Sequence, residues 1–223
     1  ADPFAADLQV IRDRVAQAGV VGLGGAVFPD AVKLNLGTQY KIEILLINGA
    51  ECEPYITCDD RVMREYADEV IDGARIVARV MGAPRVVVGI ELNKPQAIEI
   101  MTKAAAPFAE VEVVGVPALY PMGYAHELIL AITGRETPAG KRTAEVGVVA
   151  YNVATVRAVH QAVRFGRPLI SRVVTVSGGA IREPKNVLTP IGARVADLIE
   201  FCGGFSAPPA RLVNGGPMMG EPL

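Results

Sequence analysis

The chain has 223 residues, 51% of them hydrophobic and 21% charged, with a net charge of −2. This size and composition suit one sizeable α/β domain with a small companion, and the charge balance argues against a nucleic-acid partner. No apolar run reaches the roughly 18 to 20 residues that span a bilayer, and the three cysteines (Cys52, Cys58, Cys202) form no C-x-x-C pair, which argues against a disulfide framework and against a closed zinc or iron–sulfur site in this chain.

Three free thiols suit a reducing, cytoplasmic compartment. The chain opens on Ala1 with no secretory signal pattern, so it reads as a processed chain or as a piece of something longer. Leu8, Ile11 and Val15 fall at helical spacing and predict an amphipathic helix over 6–18. The glycine-rich stretch VVGLGGAVFPDAVKLN follows at 20–35, with Pro29 expected in the first turn of a helix running to about Asn35. KIEILLIN (41–48) is almost continuously apolar, as a central parallel strand would be. Val62, Tyr66, Val70, Ala74, Val77 and Met81 lie on one face of a long predicted helix from Asp60 to Met81, stopped by Gly82 and Pro84.

RVVVGIE (85–91) predicts the next strand, Pro95 to Ala105 a helix, and VEVVGV (111–116) a third strand. A helix over 125–132 ends at Gly134, VGVVAYN (146–152) is a fourth strand, and Thr155 to Val163 is the helix after it. Strand alternating with helix predicts a Rossmann-like parallel sheet with helices over residues 1–168. At Gly166-Arg167-Pro168 the pattern changes. SRVVTVSGGAI alternates and is expected to turn on Gly178-Gly179 as an antiparallel hairpin, and Arg194 to Cys202 is a short helix closed by two glycines. Residues 169–223 therefore read as a small α+β module of the β-grasp type.

Three loops carry chemistry. Glycines at 22, 24 and 25, just before a helix start, let backbone N–H groups approach a phosphate, and Lys33 adds a cation one turn on. NGAECEP (48–54) leaves the first strand at its C-terminal end, where parallel sheets bind ligands. Asn48, Glu51 and Glu53 stand on it, and carboxylates there suit ribose hydroxyls or a flavin ring N–H rather than phosphate. AYNVAT (150–155) leaves another strand end, offering Asn152 and Thr155 either to a phosphate or to helix capping.

GLGGAVFPDAVKL, LLINGAECEPYITCDDR, YPMG, AITGRETPAG, NVAT and the closing NGGPMMG together resemble the C subunit of the Rnf electron-transport complex over almost the whole chain. Several also resemble the flavin-bearing NADH-oxidising subunit of respiratory complex I. The resemblance implies an α/β domain that binds FMN and takes hydride from NADH, followed by a β-grasp, soluble-ligand-binding module. It implies 4Fe–4S clusters only in a downstream domain, and no metal or catalytic side chain here, because alignment of two rings suffices for hydride transfer. Gly22, Gly24, Gly25, Lys33, Gly123, Asn152 and Thr155 would form the FMN site, with Asn48 and Glu51 facing the flavin. Phe28 would stack on the adenine of NADH and Glu53 would meet the polar edge of the cofactor pair.

The resemblance also implies a peripheral place on the cytoplasmic face of the bacterial inner membrane. Its partners there would be the other subunits of a redox complex and a ferredoxin-type carrier. Two positions depart from the family: Val27 replaces a glycine, and Tyr124-Ala125 replaces Gly-Glu after the YPMG motif. An NADH-dependent cobalamin reductase shares similar loops, and a docking module with an eroded nucleotide site is the alternative from another class. His126 and His160, the Asp59-Asp60-Arg61 helix start, Cys52 and Cys58 are expected to be structural, and Met218-Met219 to pack.

Overall fold

The computed structural model describes residues 2–223. Helix α1 (Leu8–Gln17) starts where the Asp7 carboxylate accepts from Gln9 N, and it buries Ile11 and Val15. The glycine segment then folds back on itself: Gly22 N donates to Phe28 O at 2.9 Å, and Val21 bridges Pro29. Pro29 is the N-cap of α2 (Asp30–Lys33) rather than a residue of its first turn, and the helix expected to reach Asn35 stops at Lys33, with a second short helix, α3 (Leu36–Gln39), beyond it.

Four strands form one parallel sheet: β1 (Ile44–Gly49), β2 (Arg85–Glu91), β3 (Val111–Val116) and β4 (Val148–Asn152), in the order β3-β2-β1-β4. Alternate residues of β1 face opposite layers. Leu45 and Ile47 join the larger core, and Ile44 and Leu46 the smaller one on the other face. Both faces are covered, which is why β1 and β2 carry so few polar residues.

The long helix expected between β1 and β2 is broken. Helix α4 (Cys58–Glu65) ends at Tyr66, whose φ of −131° leaves the helical region, and α5 (Ala67–Met81) begins anew before stopping at left-handed Gly82. Helix α6 (Pro95–Ala105) links β2 to β3, α7 (Ala125–Thr133) follows β3, and α8 (Val153–Phe165) starts directly from β4 with Asn152 as its N-cap. Helices α1, α5, α6 and α8 cover the larger core, and α7 covers the smaller one.

Beyond Pro168, β5 (Ser171–Val176) and β6 (Lys185–Pro190) pair antiparallel, followed by α9 (Val195–Phe201) and a two-residue ladder of β7 (Val213–Asn214) with β8 (Glu221–Pro222). The hairpin does not turn tightly on Gly178-Gly179. Residues 177–184 form a wide loop in which Ile181 bridges Phe205 instead of continuing β5. Among the described residues no helix is long and apolar enough to cross a membrane.

Candidate functional site

The strand order fixes where a ligand crevice opens. The chain moves from β1 outward through β2 to β3, then returns to the other side of β1 as β4, so the strand order reverses between β1 and β4. A crevice forms at such a switch point, outside the strand C-termini. The residues at that end are Asn48 and Asn152, paired across the sheet.

The glycine loop is docked on this point. Leu23 N donates to the buried Thr155 Oγ1 at 2.8 Å, and a Cβ on Gly24 would stand 3.1 Å from Asn152 Cβ. Gly25 has a φ of +112°, a conformation that favours glycine. Among the described residues none accepts from the amides of Gly24 or Gly25, so these exposed donors are free for an anion. That donor set, with a nearby lysine, fits the phosphate of a nucleotide. Val27 is the departure: its φ of +51° puts a β-branched residue in the left-handed region that favours glycine.

Lys33 lies beneath the loop, with Nζ donating to Ala150 O on β4 and sitting 4.0 Å from the centre of the Tyr151 ring. Burial lowers its pKa and the neighbouring Asp30 opposes that shift. Asn48 is tied internally: its Nδ2 donates to Gly123 O at 2.8 Å and its Oδ1 accepts from Ala50 N. Gly123 is required by that approach, since a Cβ there would meet Ala50 O at 2.5 Å.

The carboxylates have internal partners. Glu51 accepts from Asp59 N (2.8 Å) and Asp60 N (3.2 Å), capping α4 from outside the helix, and Lys94 Nζ lies 3.4 Å away. Glu53 reaches the second module, where Met218 N and Met219 N donate to it at 2.9 and 2.8 Å. The side chains of Met218 and Met219 are exposed, not packed as expected from sequence; their backbone makes the contact. Phe28 is half exposed at the loop rim.

Sequence reasoning left Asp59 at a helix start. In the structure its Oδ2 accepts from Asn152 Nδ2 at 2.6 Å, inside the crevice. Burial, then the charge of Glu51, raises its pKa to about 7. Burial, then the charges of Asp59 and Glu51, pushes the Cys58 thiol up. Arg172 of β5 was also missed, and it donates to Leu23 O at 3.1 Å, joining the second module to the glycine loop. The residue types were plain in sequence, but nothing local marks which strand each would face. A cleft of about 630 Å3 lined by Glu51, Tyr55, Arg64, Lys94 and Tyr120 opens beside this crevice, over β2 instead of the switch point.

Residues 15–161 match the family model described as the Nuo51 FMN-binding domain, and residues 173–222 match the SLBB domain. The chain is 56% identical over 216 residues to the C subunit of the ion-translocating oxidoreductase complex of Rhodobacter capsulatus, an alignment covering 96% of this chain and 41% of that protein. It is 50% identical to the C subunit of the proton-translocating ferredoxin:NAD(+) oxidoreductase complex of Clostridium ljungdahlii, covering 92% and 45% respectively. It therefore spans less than half the length of these curated relatives. Among solved structures it resembles an NAD+-reducing NiFe-hydrogenase in the H2-reduced state, at a TM-score of 0.73 and 24% identity, over 88% of this chain and 39% of that one. That likeness concerns the fold.

Proposed function

The chain belongs to the family of the Nuo51 FMN-binding domain, and from that premise we propose that it binds FMN at the β1/β4 switch point and takes hydride from NADH. The observation that carries this reading is the convergence of the glycine loop, Asn48, Gly123, Asn152 and Thr155 on one crevice end, with two free glycine amides above it. FMN, when bound, supplies a two-electron acceptor that can return electrons singly.

The residues divide the work. Gly24 and Gly25 would lay bare amides against the cofactor, Gly22 would let the loop fold back with its amide on Phe28 O, and Lys33 would have to leave Ala150 O to reach the phosphate. Asn152 and Thr155 anchor the loop at the start of α8. Asn48 holds the Gly123 loop at the flavin edge, and Glu51 fixes α4 beside it. Phe28 would offer a stacking face to the adenine, and Glu53 would meet the nucleotide with the lone pairs left over from Met218 N and Met219 N. The names of the relatives support a place in an ion-translocating redox complex. There the chain would sit peripherally on the cytoplasmic face, among other subunits, and pass electrons toward a ferredoxin-type carrier through 4Fe–4S clusters in another domain.

Titration of the apo-protein with FMN and with riboflavin tests the site. A charge-assisted phosphate contact is worth about 1.5–3 kcal/mol, so FMN is expected to bind roughly 10- to 150-fold more tightly. Equal affinities would remove the phosphate role of Lys33 and the glycine amides. Anaerobic bleaching of the bound flavin by NADH then tests hydride transfer. A docking module is the second reading. It is favoured by the internal partners of Lys33, Asn48, Glu51 and Asn152 and by Ala125, which has no acceptor side chain. Bound flavin that NADH never bleaches would support it.

A further inference from the structure

Residues 51–57 leave the sheet and touch the second module before α4 begins. Thr57 N donates to Thr175 Oγ1 at 3.0 Å, and Asn186 Nδ2 donates to Thr57 Oγ1 at 2.9 Å and to Thr57 O at 3.2 Å. Asn186 Oδ1 accepts from Thr175 Oγ1 at 2.8 Å, which orients its amide. Ser177 Oγ donates to Tyr55 O at 2.9 Å. On the other side the turn at 215–220 closes on Glu53, and a Cβ on Gly216 would stand 2.1 Å from Glu53 Oε2. Only glycine permits that closure.

Between these contacts Tyr55 holds a φ of +66° and is 75% exposed. A bulky residue in the left-handed region persists only where its surroundings fix it. Burial does not fix Tyr55, so the fixing falls to the flanking hydrogen bonds, which apart from Arg61 N to Thr57 O come from the second module. That module has little core to occupy its polar edge: every residue of β5 is half-buried, and α9 buries none.

We propose that the second module's ligand is the 53–57 loop of the same chain, and that Asn186 and the Gly216–Met219 turn are positioning residues for the crevice. The route is short. Thr57 is the N-cap of α4, the first turn of α4 supplies the amides that Glu51 accepts from, and Asp59 in that turn holds Asn152. Displacing Thr57 therefore displaces the partner of a crevice side chain. The inference rests on the FMN reading for its consequence and on the loop contacts alone for its existence.

Hydrogen–deuterium exchange and FMN binding on the intact chain, with Asn186→Ala and Gly216→Ala, separate the two. Without FMN, both variants are expected to exchange at residues 53–60 about tenfold faster than wild type, the loss of one or two hydrogen bonds. FMN should bind them about tenfold more weakly, with an altered visible circular dichroism of the bound flavin. Wild-type exchange rates in both variants would overturn the proposal whatever FMN does. Faster exchange with unchanged FMN affinity and spectrum would overturn it as well, because the contacts would then hold a loop without positioning the crevice. If wild type binds no FMN, the functional reading fails, and the exchange comparison alone decides whether the module holds the loop.

Discussion

Asp30 is fully buried against Tyr151 and Lys33, and among the described residues neither carboxylate oxygen has a well-formed hydrogen bond. Burial raises its pKa from 3.8 to about 6, with Tyr151 and Lys33 pulling the other way. The folded chain thus keeps a proton that the unfolded chain releases. That contribution is complete below pH 4 and is lost as pH rises through 6, leaving a deficit of roughly 3 kcal/mol at neutral pH. Asp30→Asn mimics the protonated form, so chemical denaturation should find it more stable than wild type at pH 7.5 and nearly equal at pH 4. The same gain at both values would contradict the assignment. Val27, like Tyr55, holds a left-handed backbone. Its left-handed backbone costs about 1–2 kcal/mol, and glycine relieves that strain while giving back roughly 0.4–1 kcal/mol through unfolded-state entropy. Val27→Gly is expected to raise the melting temperature slightly; a fall would mean the loop tolerates valine unstrained. Lys33 was legible as a cation one turn past the glycines. Its partners were not, because Ala150 and Tyr151 are more than a hundred residues away and meet it only through the sheet.

Helix α5 packs hard on α8. A Cβ on Gly73 would stand 1.9 Å from Val156 O, and no rotamer can relieve a clash with backbone. Gly73→Ala gains about 1 kcal/mol of helix propensity but incurs an overpacking cost near 3, so a net loss of about 2 kcal/mol is expected from denaturant midpoints. A loss below half that would show that the two helices can part cheaply. Asp72 reinforces the contact: burial alone would raise its pKa, but bonds from Arg164 and His160 hold it well below the usual carboxylate range. Periodicity located this face correctly and still missed the break at Tyr66. The apolar spacing runs unbroken from Val62 to Met81, so nothing in it marks the break; at that point the structure places Arg157 of α8 3.6 Å over the Tyr66 ring. The wide 177–184 loop was missed for a similar reason, since Ile181 is claimed by Phe205.

At the scale of the molecule, residues 165–168 are exposed, yet the module they lead into is held elsewhere. Leu169 N donates to Ala18 O, Arg172 to Leu23 O, and the 53–57 loop engages both 175–186 and 216–219. Limited proteolysis is expected to cut near Phe165 to Pro168, and the two fragments should then co-elute on size exclusion and separate in denaturant. Resistance at that junction, or fragments that part at once, would contradict this picture.

Sequence alone determined the order of the four sheet strands, the parallel sheet and the three loops that meet at its C-terminal end. Apolar periodicity and glycine or proline stops act locally and survive without tertiary context. It also supplied the residue types of the crevice and the family resemblance. The tertiary structure decided the partners. It set Glu51 as a cap for α4, aimed Glu53 at the amides of Met218 and Met219, placed Asp59 against Asn152, and buried Asp30 beneath the glycine loop. Each of those pairings joins residues that are brought together by strand order and domain packing, and a carboxylate's role follows from which donors the fold presents to it.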